Sequence, residues 1–104
     1  MGKIDFGQMV DAETRAAQAA RQRAADIKAD CAAQISAVMT VTTSLNLQGA
    51  AIAGELDAGQ MDVMRAGLAW VRDMQQACRA AIAEGGVPEW PEVPAGLVAL
   101  AREF

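Results

Sequence analysis

Apolar positions recur at helical spacing through two long runs. In the first, Ala17, Ala20, Ala24, Ile27, Cys31, Ile35, Val38, Thr42, Leu45 and Ile52 follow steps of three or four, with one gap of seven. Such steps place residues on one face of a helix. In the second, Met61, Met64, Leu68, Val71, Met74, Cys78 and Ile82 do the same. Arg65, Arg72, Asp73, Gln75, Gln76 and Arg79 read as its solvated flank, and Trp70 reads as lying beside the stripe.

The stops between these runs set the expected boundaries. Asp11 follows a mixed arm and precedes helix-favouring residues, so it suits an N-cap. No Pro interrupts the next forty or so residues, and their first Gly is Gly49. The β-branched and polar residues 40–44 lower helix propensity locally. The periodicity continues through them, which predicts one unbroken helix over 12–53. Gly54 suits a left-handed position after a helix end. Asp57-Ala58-Gly59-Gln60 has the form of a capping box, with Leu56 and Met61 placed as a hydrophobic staple. A second helix is predicted over 58–84, ending at Gly85-Gly86. Pro88, Pro91 and Pro94 then forbid a continuous helix and favour extended chain. Pro94 can open a short last helix over 95–103, with Leu97, Leu100 and Phe104 on one side.

The predicted fold is therefore all-α. It comprises a 1–10 arm, a long antiparallel helical hairpin over 11–86, and an 87–104 region with a Pro/Trp-containing extended segment and a short C-terminal helix. The short connection makes the two long helices antiparallel neighbours. With a turn near Glu55, Cys31 and Cys78 fall within about one helical turn of each other. The first helix would be about 63 Å long against about 40 Å for the second. Its alanine-rich start is thus left without a companion, and an alanine seam buries little area. A compact monomer of this mass buries roughly 65 % of its unfolded surface, more than a two-helix hairpin can. The pattern predicts association, with copies of itself or with another protein.

Composition narrows the chemistry. The chain has 104 residues, 24 of them Ala, no His, and a net charge of −4. The absence of His removes Ser-His-Asp and Cys-His nucleophiles and His-ligated metals. The acidic balance argues against a partner with a phosphate backbone. Two cysteines make neither a disulfide framework nor a zinc site, and they read as small buried residues. No stretch approaches the roughly 20 apolar residues that a bilayer requires, and the N-terminus lacks a signal-peptide pattern. The reading is a cytoplasmic protein with no membrane partner. The carboxylates are scattered. Asp26 and Asp30 stand one helical turn apart and read as a solvated face, as does the mild basic cluster of Arg15, Arg21, Arg23 and Lys28. No GxGxxG, Walker A or nucleophile-elbow motif is present. No cofactor or metal is implied, and no enzyme is expected.

The aromatic–proline segment carries the remaining signal. Trp90 lies between Pro88 and Pro91 on stiff chain, where it either folds back onto the end of the hairpin or docks on a partner. A long helix, a turn leading into Leu56-Asp57, a helix centred on residues 64–71 with Trp70, and the closing Trp90-Pro91-Glu92-Val93-Pro94 occur in order. In these features residues 31–94 resemble the C-terminal region of tail fibre assembly proteins of tailed bacteriophages. Longer members of that family carry an N-terminal domain where this chain has a ten-residue arm. The resemblance implies a non-enzymatic helper that binds a phage tail fibre or baseplate subunit, as an assembly chaperone or a retained virion component. Its place would be the cytoplasm of the bacterial host or, if retained, the virion tail. The candidate partner-contacting side chains are Trp90, Pro91 and Pro94, with Trp70 and Phe104. The rival reading is a generic helical oligomerisation or adaptor module, formed as a homo-oligomer or hetero-complex.

Overall fold

A computed structural model describes the backbone of residues 2–104 and the side chains of residues 11–104. Four helices follow in order: α1 (Gly2–Val38), α2 (Val41–Ile52), α3 (Ala58–Glu84) and α4 (Leu97–Arg102). No strand occurs among the described residues, and the fold is all-α.

The second long helix lies where its end signals place it. Asp57 accepts from the Gln60 backbone N–H at 2.7 Å, and the Gln60 side chain accepts from the Asp57 N–H at 2.9 Å. This reciprocal pair satisfies two donors that a first turn otherwise leaves free. At the other end Gly85 takes φ 73°, a left-handed conformation that a side chain disfavours. Gly54 takes φ 74° in the turn before α3.

The first half of the chain differs from the expectation in two ways. The helix begins at Gly2, so residues 2–10 are helical where an arm was expected, and Asp11 lies inside α1 rather than capping it. The expected 12–53 helix is also broken at Met39 and Thr40. Thr40 is extended (φ −71°, ψ 164°), and its hydroxyl accepts from the Thr43 N–H at 3.1 Å. It caps a new helix in the stretch where helix propensity is lowest.

That break shifts the apolar face. A continuous helix would carry the stripe from Val38 through Thr42 to Leu45 and Ile52. After the break, Leu47 and Ala50 take the buried positions, and Leu45 and Ile52 face solvent at 64 % and 89 % exposure.

α1 and α3 are antiparallel. Arg23 meets the C-terminal end of α3 at Ala81, whereas Cys31 meets Met74. α2 and α4 close the far end. The core gathers Cys31, Met39, Leu47, Met64, Trp70, Met74, Cys78, Leu97 and Leu100. The molecule measures 74 × 22 × 18 Å, with a radius of gyration of 20.4 Å. A compact domain of this length has a radius of about 13 Å. Every residue from Asp11 to Gln22 is exposed, so this part of α1 runs past the packed body. The accessible surface is 7177 Å², about 1,600 Å² more than a compact monomer of 10.9 kDa exposes.

Candidate partner-binding surface

The aromatic–proline segment is fastened along α3. Gly67 lets it approach. A Cβ there would lie 2.6 Å from a terminal methyl of Leu97, so only a glycine lets α4 seat its fully buried leucine at this place. Gly96 turns the chain into α4 with φ 83° and lies over Val63.

Trp70 points into this packing. It is 3 % exposed, and its indole N–H donates to the Pro91 carbonyl at 3.1 Å. The expectation that Trp70 flanks the stripe is corrected: it is a core residue whose polar tip fixes the proline segment. A partner cannot reach it while 87–104 stays in place.

Trp90 is half-buried against the core, and its indole N–H donates to Asp30 Oδ2 at 3.2 Å. Of the two readings of this side chain, the structure has it folded back onto α1. Asp30 also accepts from Gln34 at 3.1 Å, and Asp26 accepts from Gln22 at 2.8 Å. Among the described residues no group of three or more acidic or cysteine side chains stands close enough to hold a metal.

Pro91 and Pro94 are half-buried between α3 and solvent, and Phe104 is half-buried with its carbonyl accepting from Asn46 at 3.4 Å. The site residues therefore split. Trp70 is internal, Trp90, Pro91, Pro94 and Phe104 are partly exposed, and three valines not singled out in the sequence face outward. Val87, Val93 and Val98 are the exposed large apolar side chains of this region. Val87 and Val93 lie among the prolines, where no regular period exists, and Val98 lies on α4 off the face of Leu97 and Leu100.

Arg23 is a second correction. It was expected on a solvated face. Its guanidinium instead donates to Ala81 O at 2.9 Å and Gly86 O at 2.6 Å. It caps carbonyls at the end of α3, where a cation is also favoured by the helix dipole. A pairing 58 residues away in sequence leaves no local signal.

Cys31 and Cys78 are both buried and unpaired as thiols. They meet across α1 and α3, as the level of the two helices predicted. Cys31 donates weakly to the Met74 carbonyl at 3.7 Å. Burial pushes its pKa up from the ordinary 9.0, and the neighbouring Cys78 and Asp30 push the same way. A thiol held protonated is a poor nucleophile, so this pair has the character of core packing. No helix among the described residues is long and apolar enough to cross a membrane.

No protein-family model, no curated protein and no solved structure matches this chain.

Proposed function

We propose that this chain is a non-catalytic adaptor of a bacteriophage or prophage tail. It docks on a tail fibre or baseplate subunit, as an assembly chaperone or a component retained in the virion. It would act in the host cytoplasm during assembly and, if retained, in the finished tail. The observation that supports this reading is the non-helical Trp90-Pro91-Glu92-Val93-Pro94 segment, tied to α3 through Trp70, with Val87, Val93 and Val98 of the same region exposed. This motif carries the resemblance to tail fibre assembly proteins. Exposed apolar side chains on proline-stiffened chain also lose little conformational entropy when a partner covers them. Trp70 and Trp90 fasten the segment to α3 and α1, and Pro91 and Pro94 restrict its backbone.

The test is co-expression with the fibre subunit of the same virus or prophage, followed by affinity capture. The expected result is co-elution and an increased yield of soluble, trimeric fibre. Val93→Glu with Val98→Glu should abolish both and leave helicity unchanged, since both side chains are already exposed. Fibre that folds equally well alone and never co-elutes would refute the reading. Stable capture of an unrelated host complex instead would make the chain a generic adaptor.

A further inference from the structure

A separate feature lies along the other side of α3. Three successive hollows of about 380, 450 and 290 Å³ run between α1/α2 and α3. Ala32, Ile35 and Gln75 line both the first and the second, and Gln48 lines both the second and the third. They form one trough alongside residues 61–79 of α3, about 27 Å long at the helical rise. Its walls include Ile35, Val41, Leu45, Ile52, Leu68 and Val71. Val41 is 78 % exposed, and with Leu45 and Ile52 it puts a row of large apolar side chains in water. Exposed apolar rows of this kind mark interaction sites.

We propose that the trough receives the N-terminal half of α1 from a second copy of this chain, in a reciprocal antiparallel dimer. Four observations name that occupant. The first is length: residues 2–22 precede the packed body of the chain and span about 31 Å as a helix, matching the trough. The second is shape: Ala12, Ala16, Ala17, Ala19 and Ala20 give residues 12–20 a slim profile, which allows close approach between two helical walls. The third is symmetry. Ala17, Ala20, Ala24, Lys28, Ala32 and Ile35 fall at steps of three or four, on one face of α1. The face bordering the trough in the packed half therefore continues through Ala20 and Ala17 of the bare half. A two-fold axis crossing α1 near residue 26 pairs Ala24 with Lys28, Ala20 with Ala32 and Ala17 with Ile35. It fills both troughs at once, so the assembly closes at two chains.

The fourth is area. The surplus of about 1,600 Å² per chain, counted over both chains, lies in the range that obligate dimers bury, roughly 2,000–5,000 Å² in total. Covering the trough and the bare helix removes the surplus that no intramolecular packing removes. The proposal does not rest on the fibre reading, because the Pro/Trp segment and its valines remain uncovered.

The experiment mixes two single-cysteine variants, Ala20→Cys and Ala32→Cys, each in a Cys31→Ala/Cys78→Ala background. A bis-maleimide spanning about 8 Å is added to the mixture. The axial separation of these positions within one chain is about 18 Å, so the linker joins them only between chains. The expected result is a covalent dimer from the mixture and none from either variant alone. In parallel, the native chain should sediment at twice 10.9 kDa. Leu45→Glu, a change at a side chain already in water, should raise the dimer dissociation constant roughly tenfold or more. A single-chain mass at 100 μM concentration, dimers from Ala20→Cys alone, or an unchanged constant for Leu45→Glu would each overturn the proposal.

Discussion

Gly67 offers the sharpest test of how 87–104 is held. Replacing a helix-interior glycine by alanine ordinarily stabilises by about 1 kcal/mol. Here the new methyl would lie 2.6, 3.3 and 3.5 Å from Cδ1, Cδ2 and Cγ of Leu97. Carbon atoms rest at about 3.5–4.0 Å, so Leu97 must retreat by about 1 Å. That retreat presses on the core around it, because Leu97 is fully buried. Overpacking of this kind costs about 1–3 kcal/mol. α4 spans only Leu97–Arg102 and depends on this leucine, so the upper part of that range applies. Gly67→Ala should therefore destabilise by about 1–2 kcal/mol net. Leu97→Ala alone should cost about 3 kcal/mol, within the range for a buried leucine. In the Leu97→Ala background the same Gly67→Ala change should stabilise by about 1 kcal/mol, because the obstacle has gone and the methyl partly fills the cavity. The assay is urea denaturation followed by far-UV circular dichroism at one fixed chain concentration, since association shifts the midpoint. A coupling of about 2–3 kcal/mol between the sites is expected. Gly67→Ala having the same sign in both backgrounds would refute the reasoning.

Three further outcomes follow from the geometry. Asp57→Ala removes one half of the capping box and should cost about 1 kcal/mol, read as a lower denaturation midpoint, with Asp57→Asn losing much less. Trp90→Phe keeps an aromatic ring, though a smaller one, and deletes the N–H bond to Asp30. It should loosen 87–104 to proteolysis with little loss of helicity, while Trp90→Ala should also lower thermal stability. For Cys31, whose folded pKa is raised, the folded chain holds its proton to higher pH than the unfolded chain. The protonated thiol's contribution to stability is present in full below pH 9.0 and falls as pH rises through the folded value. Stability measured from pH 8 to 11 should decline, and the decline should shrink in Cys31→Ala.

Much of the fold was legible because its signals are local. The capping box at Asp57 and Gly85 after Glu84 each act within a few residues and mark observed boundaries. The three prolines keep 87–94 out of helix, but the last helix starts at Leu97 behind the left-handed Gly96 and not at Ala95 behind Pro94. The short last helix carries Leu97 and Leu100 inward as their spacing requires. The break at Thr40 was only half legible. The β-branched run weakens the helix, but the apolar rhythm continues across it, and only packing decides which effect wins. Once the helix breaks, Leu47 and Ala50 replace Leu45 and Ile52 in the core, and the displaced pair become a wall of the trough. The candidate site was harder to read. Trp70 bonds to Pro91, Trp90 to Asp30, and Arg23 to Ala81 and Gly86. These partners are distant in sequence, and no pattern along the chain announces them. Gly67 reads as an ordinary weak point in a helix until Leu97 is seen above it.

In the proposed dimer this helical rod is incomplete as a single chain. Hydrogen exchange at the amides of residues 11–22, followed as the chain is diluted from about 100 μM to below 1 μM, tests it most directly. The dimer should give strong protection at the high concentration, lost on dilution, while the amides of residues 64–78 stay protected throughout. Protection of residues 11–22 that is equal at every concentration would contradict it.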